Sequence, residues 1–299
     1  MMDTWQELTT EQNNVKSENI DEVSTLEMLH IINREDKKVA DAVTAELTSI
    51  ADAVDLITYS LKNNGRLFYV GAGSSGRLGI LDAVECPPTY GISSDVIQGI
   101  IAGGNPAVFN SIEGAEDDFN GAINQFEERK ICSNDIVLGI AASGVTPYVK
   151  GALKYSHNVG CKTIFLTCNQ LNAIPNVDII ICPVVGPEVI TGSTRLKAGS
   201  ATKLVLNMIS TGTMVSLGKT YGNYMVDLKP TNNKLQNRSL RIFRSITRVT
   251  EAEAQTYLES ADNNLKTALV MKLRNCKKSE AIHLLSKNNQ SVKQAIISL

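Results

Sequence analysis

The sequence predicts an α/β fold, a doubly wound parallel sheet flanked by helices, with a small C-terminal helical domain. Three observations carry this. Apolar runs rich in strand formers recur at 67–70, 96–102, 136–141, 162–167 and 177–185, and helix-like segments separate most of them. Such alternation implies a parallel sheet covered on both faces. The first run passes straight into a glycine loop and a helix start, in RLFYVGAGSSGRLGILDAVECPPTYG at 66–91. Beyond Gly186 the strand pattern stops and the text reads as helix.

In chain order, residues up to about Asn19 are polar and are expected to be loosely ordered. STLEMLHIINREDKK opens with a Ser24-x-x-Glu27 capping box and starts the first helix. A second helix is predicted over 39–61, ended by Asn63-Asn64-Gly65. The helix after the glycine loop is expected to stop at Glu85, because Cys86-Pro87-Pro88 follows and proline does not continue a helix. A short helix is expected at 106–112, another ending near Phe126, and one at 147–159 with Pro147 in its first turn. A hydroxyl-rich link at 188–195 leads into a long helix running to about Tyr221, and a helical appendage follows from about Thr250. The expected domains are 1–60, helices packing on the core; 61–235, the sheet domain with its long helix; and 236–299, a small helical domain. The basic residues of 271–299 read as a solvated helix face.

Composition narrows the function. A net charge of −2 leaves no basic excess to hold nucleic acid, so no nucleic-acid partner is expected. No signal peptide is visible in MMDTWQELTTEQ. The stretch 196–217 is interrupted by Lys197, Lys203 and Asn207, which suits a buried or interface helix and not a membrane span. Six cysteines without a C-x-x-C pair fit a reducing cytoplasm, and His30, His157 and His283 lack metal-ligand spacing.

A strand, a glycine turn and a helix in succession form an anion site, since the helix start offers unpaired N–H groups and a partial positive charge. Gly71-Ala72-Gly73-Ser74-Ser75-Gly76 even matches the G-x-G-x-x-G dinucleotide pattern. A dinucleotide site also wants a carboxylate ending the second strand, and Ile100-Ile101-Ala102-Gly103-Gly104 has none. GIAASGVTP at 139–147 repeats the arrangement and sets Ser143 and Thr146 beside a second helix start. Two such loops suit a phosphate monoester on a polyhydroxylated body. Helix capping alone would explain any one of these hydroxyls, but glycine-rich capping twice after strands favours a ligand. Glu85 and Glu116 are candidates for acid–base work, which a pair of carboxylates can divide when their surroundings differ.

These residues resemble a known family. GAGSSGR and ECPPTYG within 66–91, residues 139–151, GAEDD at 114–118 and ITGSTRLKAGSATKLVLNMISTG at 190–212 are similar to the N-acetylmuramic acid 6-phosphate etherases of the sugar-isomerase (SIS) superfamily. The similarity runs from VSTLEMLHIIN at 23–33 to GNYMVDLKPTNNKL at 222–235 and weakens in the tail; Ser74 and Ser200 stand where threonine is common, and both keep the hydroxyl. The resemblance implies an SIS-type sheet domain and cleavage of a D-lactyl ether at C3 of a sugar 6-phosphate. A base removes the C2 proton, acidified by the C1 aldehyde of the opened sugar. An acid protonates the departing lactyl oxygen, and water then adds to the double bond. N-acetylglucosamine 6-phosphate and D-lactate result, and no cofactor or metal is needed. It also implies that Glu85 is the proton donor and Glu116 the second acid–base residue, with Gly73, Ser74, Ser75, Ser143, Thr146, Thr194 and Lys197 binding substrate. Glu85 must then hold a proton near neutral pH, which burial beside another carboxylate would favour.

A straight helix from Ser75 to Glu85 would rise about 15 Å. Phosphate and C3 are only a few ångströms apart, so either this helix is interrupted or Glu85 acts in a partner subunit of a homodimer. Competing readings are an aldose–ketose isomerase, which would make a ketose and no lactate, a non-catalytic sugar-phosphate regulator, and, more remotely, a nicotinamide dehydrogenase.

Overall fold

The five apolar runs become β1 (Leu67–Gly71), β2 (Ile97–Ile101), β3 (Ile136–Ile140), β4 (Lys162–Leu166) and β5 (Ile179–Ile181). All pair in parallel, in the order β2-β1-β3-β4-β5. β1 and β3 are buried along their whole length, which is why their sequences lack polar alternation. The computed structural model describes residues 8–170, 174–228 and 233–298. The chain divides into two compact units, one of residues 1–84 and 94–210 and the other of 85–93 and 211–299.

The first unit contains the sheet and the helices α1 (Thr25–Asp36), α2 (Lys38–Thr44) and α3 (Leu47–Lys62), and it holds the start of α4 (Gly73–Tyr90). α5 (Pro106–Phe109), α6 (Ile123–Glu128) and α7 (Pro147–Val159) follow, and α8 (Lys197–Ser216) begins there. One of its cores joins Phe68 and Val70 of β1 to Val137, Tyr148, Leu153 and Phe126, all buried. Leaving β1, the chain goes to β2 on one side, then returns to β3 on the other. The seam between β1 and β3 is therefore the topological switch point, where a crevice opens beyond the strand ends.

Several expectations need correction. α4 does not stop at Glu85; it runs unbroken to Tyr90 with Pro87 and Pro88 in its last turn. The prolines delete two helical donors but keep a helical φ. Gly91 donates its N–H to the Pro87 carbonyl at 2.9 Å and, with φ +66°, ends the helix. The helix predicted over 39–61 breaks at Ala45–Glu46, where the Glu46 carboxylate leaves its own helix to accept the Cys182 N–H at 3.0 Å beside β5. The long helix ends at Ser216, and a two-stranded hairpin, β6 (Thr220–Tyr221) and β7 (Tyr224–Met225), turns at Gly222 with φ +56°. The 106–112 helix is only the four residues of α5.

The second unit is built on α9 (Asn233–Thr247), α10 (Glu251–Ser260), α11 (Leu265–Arg274), α12 (Lys278–Lys287) and α13 (Val292–Ile297). Phe243, Leu258, Leu269 and Val292 lie in its core. Buried Lys266 pairs with Asp227 at 2.7 Å and donates to the Gln290 carbonyl. Of the basic residues beyond Met271, Lys272 pairs with Glu253 and Lys278 with Asp262. Residues 229–232 of the GNYMVDLKPTNNKL segment lie outside the described residues.

Candidate active site

A cleft of about 250 Å³ opens at the β1/β3 seam, where Gly71 and Ile140 end their strands as register partners. The loop after β1 supplies Gly73, Ser74 and Ser75 to its wall, and the loop after β3 supplies Ser143 and Thr146. Glu116 and Asp117 reach it from a 3-10 turn at Ala115–Asp117, and Thr194 and Glu11 complete it. Among the described residues its lining has three carboxylates and no lysine or arginine. An anion held there therefore depends on backbone N–H groups, hydroxyls and helix dipoles.

The local sequence builds this loop for a steric reason. A Cβ on Gly76 would come within 2.6 Å of the Ile101 side chain and 2.7 Å of the Gly71 carbonyl, so strand and helix meet only with glycine. Gly73 has φ +52° and nothing within 4 Å of its Cβ position, so it turns the chain and leaves the cleft open. The hydroxyls are not capping groups. Thr146 makes no capping bond, and Ser74 and Ser75 have no side-chain partner among the described residues. Ser143 only accepts a long 3.4 Å bond from Val145 N–H. Helix α4 is braced from below by buried Asp82, which accepts from Tyr69 at 3.1 Å and from Lys203 at 3.0 Å.

The start of α8 is different. Glu188, fully buried, accepts the N–H groups of Lys197 and Ala198, both at 3.0 Å, and so seals that helix end from inside. The Lys197 ammonium is also fully buried and donates to Glu35 at 2.7 Å. Glu35 further accepts from Lys38 at 2.5 Å and Asn14 at 3.0 Å. Burial opposes ionisation of Glu35, but these three donors outweigh it and hold its pKa down at about 2.

Residues 1–7 lie outside the described residues, but from Leu8 on the N-terminal segment, expected to be loosely ordered, is pinned instead. The Asn14 amide bonds Glu35 and the Pro187 carbonyl, and the Ser17 hydroxyl donates to the Val189 carbonyl at 2.8 Å. Buried Asn169 exchanges hydrogen bonds with Thr10 and donates to the Ala142 and Ser143 carbonyls. Glu11 is thereby fixed between the Ser143 loop and Gly192, whose Cβ position lies 3.2 Å from its carboxylate.

Known proteins resemble the chain at two levels. The family model for the glucokinase regulatory protein N-terminal SIS domain matches residues 49–157, and the model for that protein's C-terminal lid domain matches 222–263. Curated N-acetylmuramic acid 6-phosphate etherases from Clostridium beijerinckii and Clostridium botulinum are 52% and 51% identical over 290 residues. These alignments cover 97% of this chain and 95% and 96% of those proteins. The chain belongs to the N-acetylmuramic acid 6-phosphate etherase family. A solved phosphoheptose isomerase from Neisseria gonorrhoeae superposes with a TM-score of 0.49 at 16% identity, covering 63% of this chain and 97% of that one.

Of the residues that the etherase resemblance selects, Gly73, Ser74, Ser75, Glu116, Ser143, Thr146 and Thr194 line one cleft. Two do not fit as expected. Lys197 is spent on Glu35 and lines no part of the cleft. Glu85 belongs to the second unit and is exposed, not buried, on an unbroken α4. Sequence reasoning missed Glu11, Asp117 and Thr202 on the cleft wall. Nothing local marks Glu11, because Thr10, Asn14 and Ser17 around it are held by Asn169, Glu35 and Val189, far off in the chain.

Proposed function

We propose that this chain cleaves the D-lactyl ether of N-acetylmuramic acid 6-phosphate, giving N-acetylglucosamine 6-phosphate and D-lactate. The observation that carries the reading is the sharing of one cleft by Glu116, two strand-to-helix turns and their uncommitted hydroxyls. In this reading the N-termini of α4 and α7, with Ser74, Ser75, Ser143 and Thr146, hold the phosphate dianion. Glu116 takes the C2 proton. The C2–H electron pair forms the C2–C3 double bond as the C3–O bond breaks, and the lactyl oxygen leaves with a proton from Glu85. Water then adds its oxygen to C3 and its proton to C2. The sum is redox-neutral, so no electron-carrying cofactor enters. A substrate carrying a phosphate dianion and a carboxylate does not cross membranes unaided, so this reading places the enzyme in the cytoplasm.

The unbroken α4 removes one of the two explanations for the distance of Glu85. Ten residues of helix separate it from Ser75, about 15 Å of rise. We infer that Glu85 serves the cleft of a partner subunit in a homodimer.

The test is D-lactate release from N-acetylmuramic acid 6-phosphate. Wild type should release it, and Glu116→Gln should lower kcat by about 10²–10⁴-fold. Ketose formation without lactate would favour the isomerase, and binding without turnover the regulator. Mixing Glu85→Gln with Ser75→Ala protein should restore some activity, above the sum of the two proteins assayed separately. No recovery in verified mixed dimers would refute the shared site.

A further inference from the structure

A second chamber, also about 250 Å³, adjoins the cleft and shares Ala72, Gly73 and Glu116 with it as a common wall. Arg77, Asn110, Ser111 and Glu113 also line it. Among the described residues, Arg77 is the one cationic residue in the lining of either space. Its Nε donates to the Val108 carbonyl and its Nη2 to the Asn110 carbonyl, both at 2.9 Å. These partners are neutral. Among the described residues Arg77 meets no carboxylate, so its orientation is fixed while its charge stays uncompensated. Two of its five donors are spent, which leaves three for a planar anion.

The substrate of the proposed reaction carries two anionic groups of different chemistry. A phosphate dianion suits the cation-free cleft, with its two helix starts and free hydroxyls. The carboxylate of the lactyl group has no such provision there, and the cleft's own carboxylates would repel it. A preorganised guanidinium is the group that matches it. The acid–base candidate common to both spaces is Glu116, which puts the breaking C3–O bond at the boundary, with sugar on one side and leaving group on the other.

We propose that this second chamber is the leaving-group subsite and that Arg77 binds the carboxylate of the ether substituent. The assignment rests on the etherase reading and goes past it. It makes the substituent's charge, and not only its ether bond, a condition of turnover. It also gives the released 2-hydroxy acid its own compartment, away from the sugar phosphate.

The test compares the natural substrate with its lactamide analogue, the same ether with a neutral amide in place of the carboxylate. Wild type should turn over the carboxylate at least about 10-fold better in kcat/KM, as expected for one charge-assisted bond. Arg77→Ala should lose about 10- to 100-fold on the carboxylate and stay within about 3-fold of wild type on the amide, erasing the preference. Arg77→Lys, which keeps the charge without the fork, should fall between. If Arg77→Ala does not fold, the wild-type preference and Arg77→Lys decide. Equal losses on both substrates would mean that Arg77 only anchors the 108–110 loop, and indifference of wild type to the carboxylate would equally overturn the subsite. Failure of wild type to cleave either ether overturns the etherase reading instead.

Discussion

The helix starts of α4 and α8 look alike in sequence, each following a loop rich in glycine and hydroxyls, and the structure uses them in opposite ways. At α4 a left-handed Gly73 opens the turn, and Ser74 and Ser75 face the cleft without an internal partner. At α8 the Glu188 carboxylate already occupies the place an anion would take, and Lys197 is turned inward to Glu35. A helix end is thus an anion site only when the protein leaves it unsatisfied. The first end is left open onto the cleft, and the second is a buried joint that holds the segment around Asn14 through Glu35.

The contrast breaks hardest at the joint. Glu35→Ala strands the Lys197 ammonium in a fully buried position and removes the anchor of Asn14. Losing one partner of a buried pair costs about 3–5 kcal/mol. Denaturant unfolding of the variant should show that loss, with the Glu11 segment more open to proteolysis. Replacing both partners, as in Glu35→Met with Lys197→Met, should recover most of it, because no bare charge remains.

Acid probes the same joint more gently. Glu35 is held at about 2 against an ordinary 4.5, so it binds a proton more readily unfolded than folded. Its contribution is complete above about pH 4.5 and is lost as pH falls toward 2, on the order of 3 kcal/mol in all. Glu188 runs the other way. Burial raises its pKa despite the two N–H donors, so its ionisation works against the fold as pH rises above its ordinary 4.5. Melting temperatures across pH 6 to 2.5 should fall in wild type, and the fall should be shallower in Glu35→Gln. An identical profile in the two proteins would show that the Glu35 cluster does not set acid stability.

Much of this was legible in the sequence because it is local. The strand runs, the glycine turn and the Ser24 cap, which accepts from the Glu27 N–H at 3.3 Å, depend on neighbours a few residues away. The features that stayed hidden depend on partners far off in the chain. Glu46 ends a helix because of Cys182, and Lys197 turns away from the cleft because of Glu35, 162 positions distant. Glu11 reaches the site through Asn169, which contacts Thr10 across 159 positions. The prolines of α4 misled for a related reason. They disfavour helical backbone in the residue before them and remove helical donors, yet one more turn needed only their φ, and Gly91 supplied the stop.

The finest test of the comparison lies at the open end. Ser75 lines the cleft, is half-buried and has no internal hydrogen-bond partner among the described residues. Ser75→Ala therefore removes no bond from the folded protein, and the melting temperature should not move beyond the small changes usual for surface substitutions. On the proposed reading the bond it removes is one to a phosphate oxygen, worth about 1.5–3 kcal/mol for a charged acceptor. Calorimetric titration with N-acetylglucosamine 6-phosphate should accordingly show affinity weakened about 10-fold or more, with the unphosphorylated sugar unaffected. A serine that stabilised the helix and left binding alone would return the opposite pair of results, and the start of α4 would then be a capped end like that of α8.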